Sequence, residues 1–255
     1  MERDPFGFPV VRNWPAIDAA GMIEVDRLMI GHYDISLPQM MENAGRALAT
    51  LASVRFLGRD PRGTHVVVLA GGGGNGGGAL VAARRLAGWG ARVSIVLSQD
   101  PAAMAPVPAR QLAILERMGL QPGGQPDDGI DLILDGLIGY SLHGVPRGRV
   151  AELISWARAA SAPVLSLDVP SGFDAASGKT LDPSMVAVAT LTLAAPKIGL
   201  STCAAAGDLY VADISVPPTL YCRLPQPLSV PPFSAGDILR IAKVSESATA
   251  PLMSQ

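Results

Sequence analysis

The residues best placed to do chemistry fall in four short clusters. Gly71–Gly78 is seven glycines around Asn75, Asp135 opens Asp135-Gly-Leu-Ile-Gly139, Asp168 opens Asp168-Val-Pro-Ser-Gly172, and Lys197 closes Ala195-Pro-Lys197. A glycine run between a strand and a helix leaves backbone N–H groups uncovered, so it can approach a phosphate at the positive end of the helix. Without a ligand the same run is a flexible loop. It is not a Walker loop, because no Lys-Ser/Thr follows, and no acidic residue ends the next strand at Leu97 as the dinucleotide fingerprint requires. A carboxylate at the end of a buried strand is costly unless it is paired, hydrogen-bonded or ligating. Asp135 and Asp168 therefore either cap the turns that follow them or, beside Asn75 and Ser171, make an oxygen-rich site for a hard cation. Lys197 reads as a surface lysine or as a substrate contact.

These clusters need a scaffold, and the chain supplies alternating strand and helix patterns. The strand runs are His65–Ala70, Arg92–Leu97, Ile130–Asp135, Pro163–Asp168, Met185–Leu193 and Gly207–Ile214; the helical stretches between them are Ala79–Trp89, Pro108–Met118 and Val150–Ala159. Two more helical stretches, Ala16–Ile30 and Leu37–Phe56, precede the first of these strands. Strands separated by helices imply βαβ crossovers, hence an α/β fold, a Rossmann-like three-layer α/β/α sandwich around a mainly parallel sheet. Ligands gather at the carboxyl ends of such strands, which is where all four clusters lie. Residues 1–15 read as an N-terminal extension, 16–216 as the domain, and 217–255 as a proline-rich C-terminal extension. In that last stretch Pro217, Pro218, Pro225, Pro227, Pro231 and Pro232 are expected to prevent any regular element, leaving a wrapping or disordered segment.

Composition excludes several classes. With 49% hydrophobic and 16% charged residues the chain is globular, and a net charge of −2 provides no attraction for nucleic acid or an anionic membrane. No apolar stretch reaches the ~20 residues of a membrane span, and Met1–Pro15 lacks the apolar core of a signal peptide. The expectation is a cytoplasmic protein with Cys203 and Cys222 as free thiols. His32, His65 and His143 show no ligand spacing, although His143 follows Asp135 closely enough to touch a ligand. Met40 and Met41 read as core packing.

Taken together the motifs resemble a known family. Met41-Glu-Asn-Ala-Gly45 resembles the "LMENAG" helix of the YjeF N-terminal domain, the NAD(P)H-hydrate epimerases. Val66–Leu80 resembles its "G-x-G-N-N-G-G-D-G-L" strand and loop, Asp135–Gly139 its "D-A-x-x-G", Asp168–Gly172 its "D-I-P-S-G", and Thr190–Lys197 its "T-x-T-x-x-x-P-K". The resemblance implies a Rossmann-like homodimer, packed partly through its N-terminal helices. It implies an isomerase that interconverts the R and S epimers of hydrated NADH and NADPH, so that a separate dehydratase can restore the cofactor. It also implies a potassium ion held by Asn75, Asp135 and Ser171. Substrate contacts would come from Gly74, Asn75, Gly76, Gly77 and Gly78, from the loop Gly139, Tyr140, Ser141, Leu142, His143, Gly144 and Val145, and from Lys197 and Asp168. Asp168 would be the catalytic acid/base at the C6 hydroxyl of the hydrate.

The chain departs from the family at three positions. Gly74 stands where the loop has its first asparagine, Gly78 where it has an aspartate, and Ala79 where it has a glycine. Two expectations follow: an epimerase working through Asp168 and the cation site, or a nucleotide-binding or scaffold protein that has lost turnover. A distinct reaction on another nucleotide-like metabolite is a third. Because the chain ends soon after its last strand pattern, the dehydratase is expected as a separate partner.

Overall fold

Runs of Val, Ile and Leu without an interrupting charge form the middle of an eight-stranded sheet. The computed structural model describes residues 1–12 and 14–242. In chain order its elements are β1 (Val10–Val11), α1 (Ala19–Gly31), α2 (Leu37–Phe56), β2 (His65–Ala70), α3 (Gly74–Gly88) and β3 (Arg92–Leu97). Next come α4 (Pro106–Arg117), β4 (Leu132–Gly136), α5 (Gly148–Ala159), β5 (Val164–Leu167), β6 (Phe173–Asp174) and β7 (Lys179–Thr180). The chain continues through β8 (Ala189–Leu193), β9 (Asp208–Ala212), α6 (Pro218–Tyr221) and β10 (Ile238–Ile241). The sheet order is β1-β10-β9-β8-β5-β4-β2-β3, and only the β10–β9 pair is antiparallel. β6 and β7 form a separate hairpin.

Because side chains alternate along a strand, each central strand serves both faces. Val66, Val68, Leu132 and Leu134 pack with Leu48, Leu51, Leu80 and Leu115 from α2, α3 and α4. Val67, Leu69 and Ile133 pack with Leu153 and Ile154 of α5 on the other face. The expected three-layer arrangement is therefore present. From β2 the chain crosses to β3 on one side, whereas β4 pairs on the opposite side of β2. The order reverses at this point, and the loops leaving β2 and β4 open a crevice at their carboxyl ends.

Two features differ from the sequence reading. The helix after β2 starts at Gly74 instead of Ala79, so Gly74–Gly78 forms its first turns and only Gly71–Gly73 is loop. Glycine is a poor helix former; close packing makes it necessary here. A Cβ on Gly76 would lie 1.8 Å from the Gly71 carbonyl oxygen, and one on Gly77 would lie 2.7 Å from Met41 Sδ. The second difference lies beyond Val216, where regular structure was not expected. That stretch supplies α6 and β10, and β10 joins β9 on one side and β1 on the other. Leu220, Tyr221 and Leu224 bury themselves against Met29 and Ile214. The small, polar tail from Lys243 lies outside the described residues. Among those described, no helix is long and apolar enough to cross a membrane.

Candidate functional site

Asp135, at the end of β4, is fully buried. Its Oδ1 accepts from Ser171 Oγ at 2.5 Å and the Leu137 amide at 3.3 Å; its Oδ2 accepts from Ser166 Oγ at 2.8 Å and the Ser171 amide at 2.9 Å. Burial nevertheless pushes its carboxyl above the usual carboxylate range, against the pull of those bonds. Asp135 thus does cap the turn after it, and it also fastens the β4 and β5 loops together. Ser171 Oγ additionally accepts from the Ile138 amide at 3.0 Å.

Asp168 follows β5 with φ +67, a left-handed conformation uncommon for a side-chain-bearing residue and a local strain often found at working sites. Its amide is held by the Leu191 carbonyl of β8 at 2.7 Å. Its carboxylate reaches the same cavity as residues of α2 and α3. Lys197 is buried, not a surface lysine. Its ammonium pairs with Asp168 Oδ1 and donates to Thr192 Oγ1 at 3.2 Å and the Leu193 carbonyl at 2.9 Å. Asp168 Oδ2 accepts from the Tyr140 amide at 2.9 Å.

Tyr140 leads to a residue that the sequence reading missed. Its hydroxyl donates to Asp26 Oδ2 on α1 at 2.6 Å. Asp26 is half-buried, and desolvation raises its carboxyl above the ordinary range; burial and the Asp26 carboxylate likewise push the Tyr140 phenol upward. The only sequence signal was an acidic residue beside the buried positions Met22, Val25 and Met29 of a helix that also carries Glu24 and Arg27. That pattern alone does not separate it from a solvated face.

A cavity of about 280 Å³ joins these groups. Gly74, Asn75, Gly78, Gly139, Tyr140, Ser141, Asp168 and Asp26 contribute its polar or glycine wall; Met22, Met40, Met41, Leu193 and Ile214 are among its apolar contributors. Of the expected substrate contacts, Gly76, Gly77, Leu142, His143, Gly144, Val145 and Lys197 do not line it. Gly76 and Gly77 serve helix packing, Leu142 is buried, His143, Gly144 and Val145 are exposed, and Lys197 lies behind Asp168. Met40 and Met41 belong to the wall as well as the core. Asn75 is half-buried, with its amide oxygen and nitrogen both shielded from solvent, and neither has a hydrogen-bond partner among the described residues. A Cβ on Gly139 would touch Asn75 Cγ at 3.3 Å and Asp168 Oδ2 at 3.1 Å, so a side chain there would crowd both. His65 is buried against Ser94, Arg92 and the Gly129 carbonyl, a structural role. His32 is exposed beside Arg223. Cys203 and Cys222 are free thiols.

Comparison with known proteins places the same segments in one family. Residues 37–199 match the family described as YjeF-related protein N-terminus. A protein of Dehalogenimonas lykanthroporepellens named NAD(P)H-hydrate epimerase is 45% identical over 223 residues, covering 86% of this chain and 90% of its own length. The protein of that name in Truepera radiovictrix is 36% identical over 210 residues, covering 80% of this chain and 92% of its own. The bifunctional NAD(P)H-hydrate repair enzyme Nnr of Salinibacter ruber is 33% identical over 232 residues, covering 82% of this chain but 42% of that protein. The crystal structure of yeast ynu0 matches with a TM-score of 0.75 and 22% identity over 89% of this chain and 99% of that one, a likeness of fold.

Proposed function

The chain belongs to the family of YjeF-related protein N-termini, and from that premise we propose that it is an NAD(P)H-hydrate epimerase, an isomerase that interconverts the R and S epimers of hydrated NADH and NADPH. The reacting carbon, C6, carries a hydroxyl beside the ring nitrogen. Protonating that hydroxyl lets it leave as water while the nitrogen lone pair forms a C6=N bond. Water added to the opposite face, with loss of a proton, gives the other epimer. Such a site needs groups that hold and move a proton at one oxygen, inside a pocket fitted to one ring.

The observation that carries this reading is Asp168, turned into the cavity by its positive φ and held there by the buried ammonium of Lys197. The cavity, at about 280 Å³, is at the small end for ligand sites. That size suits the reacting ring, leaving the rest of the dinucleotide to the exposed Ser141, His143, Gly144 and Val145 of the following loop. Apolar walls from Met22, Met40, Met41 and Ile214 would exclude bulk water from the reacting carbon. Gly78 removes a carboxylate that the family loop carries, but relatives named as epimerases favour turnover over a binding-only role.

A potassium ion is part of the proposal. Asn75, Asp135 and Ser171 present oxygens suited to a hard monovalent cation. Asn75 has an orphaned buried amide, which costs about 1–3 kcal/mol unless satisfied. Asp135 is buried with no cationic side chain bonded to it among the described residues. The ion would supply the missing positive charge and lessen repulsion between neighbouring carboxylates. A separate dehydratase acting downstream, a homodimeric state and a cytoplasmic location belong to the same reading and rest on the resemblance.

The deciding experiment incubates the purified protein with R- and S-hydrates and a dehydratase specific for one epimer. Accelerated loss of the other epimer supports the proposal. Hydrate binding without acceleration makes the chain a binding protein, and absence of binding overturns the substrate assignment.

A further inference from the structure

Tyr140 spans the distance between two carboxylates. Its amide donates to Asp168 Oδ2 at 2.9 Å and its hydroxyl to Asp26 Oδ2 at 2.6 Å, so the two acids stand about one tyrosine length apart on the wall of one cavity. Their surroundings are opposite. Asp168 carries the Lys197 ammonium on its other oxygen, whereas Asp26 has no salt bridge among the described residues. On its own helix Glu24 and Arg27 pair with each other, and Arg27 points to solvent. The groups facing Asp26 from neighbouring elements are the Tyr140 hydroxyl, the Asp168 carboxylate at the end of β5 and, farther behind it, the Lys197 ammonium.

Epimerisation makes a particular demand on such a site. The hydroxyl leaves from one face of C6 and water arrives on the other, so a single carboxylate on one side serves only half of the reaction well. Resting on the epimerase reading, we propose that Asp26 is a second catalytic carboxyl, which protonates the departing C6 hydroxyl on one face while Asp168 takes a proton from the water attacking the other. Tyr140 is the positioning residue that holds the two apart. In the forward step Asp26 gives its proton to the C6 hydroxyl, the C6–O bond breaks, and the ring-nitrogen lone pair forms C6=N. In the second step water bonds to C6, the C6=N pair returns to nitrogen, and Asp168 receives the proton. Exchange with solvent then resets both acids, and the reverse reaction exchanges their roles. Burial outweighs the tyrosine hydrogen bond and raises the Asp26 carboxyl, which keeps its proton available closer to neutrality. Asp26 thereby provides a carboxyl to a cavity in which position 78 is glycine.

The test compares Asp26→Asn and Tyr140→Phe with the wild type in both epimerisation directions across pH, with hydrate binding measured by calorimetry. Asparagine keeps the acceptor for Tyr140 but cannot transfer the proton. The expected result for D26N is a kcat lowered about 100-fold or more, with hydrate affinity within about threefold, and loss of the decline in rate as pH rises through the Asp26 titration. Y140F should lower kcat about tenfold and shift that decline, since the acid stays while its tether is gone. A D26N variant that binds hydrate and retains the wild-type kcat and pH profile overturns the inference and leaves the epimerase reading intact. A folded wild-type protein that does not epimerise overturns both.

Discussion

Lys197 and Asp168 form an ion pair closed off from water: the lysine is 0% exposed and the aspartate 3%, and the ammonium has two further acceptors in Thr192 and Leu193. The pair joins the end of β5 to the segment after β8 across neighbouring strands. It is the fixed point from which Tyr140 and then Asp26 are positioned.

Removing one member of a buried pair strands the other charge. Lys197→Met is expected to lower the unfolding free energy by about 3–5 kcal/mol, measured by urea denaturation. Asp168→Asn is expected to slow epimerisation about 10²- to 10⁴-fold. An Asp168→Asn enzyme with an unchanged rate would remove Asp168 from the chemistry.

Position 78 separates loss of function from replacement of it. An added Cβ would meet Leu167 Cδ2 at 2.9 Å, the movable end of a side chain, so an aspartate can be accommodated. Gly78→Asp should cost about 1–3 kcal/mol through overpacking. With Asp26 already supplying the second carboxyl, it should change kcat by less than about threefold. A gain of a hundredfold would instead mark the cavity as one that lacks an acid.

The cation site predicts a selective salt effect. At equal ionic strength, potassium chloride should raise the melting temperature above its value in choline chloride, since a ligand bound only to the native state stabilises it. The increment should vanish in Asn75→Leu and Ser171→Ala. Equal melting temperatures in the two salts for the wild type would argue against the site.

Asp26 also makes a stability prediction with a definite sign. Its carboxyl is raised by burial above the ordinary carboxylate range. A raised carboxyl contributes stability that is fully present below the unfolded-state value and lost as pH rises through the folded one. Asp26→Asn removes this dependence. The variant should therefore gain stability relative to wild type near neutral pH and lose that advantage toward pH 4, as thermal melts across pH would record.

Helix contact accounts for one more glycine. A Cβ on Gly45 would lie 2.4 Å from Val81 Cβ and 2.6 Å from the Gly78 carbonyl oxygen, both rigidly placed. Gly45→Ala should force α2 and α3 apart at a cost of about 1–3 kcal/mol, read by denaturant unfolding. Because α2 and α3 both line the cavity, hydrate affinity should fall with it.

The sequence by itself determined the layered parallel sheet, the rim on which chemistry gathers, and most of the polar wall: Asn75, Tyr140 and Asp168, with Asp135 and Ser171 behind them. These were legible because strand periodicity and strand-end motifs are local properties of the chain. Tertiary structure decided the rest. The glycine run reads as a loop in isolation, since glycine disfavours helix, and becomes helical only where Gly71 and Met41 leave no room for side chains. β10 could not be read past the prolines that precede it, because a four-residue strand acquires its identity from the partners it pairs with, β9 and β1. Lys197, read from the sequence as either a surface lysine or a substrate contact, became a buried partner of Asp168 once β5 and β8 were brought side by side. Asp26 entered the site last, because an acid in an apolar helical stripe has no meaning until Tyr140, 114 residues away in the chain, reaches it.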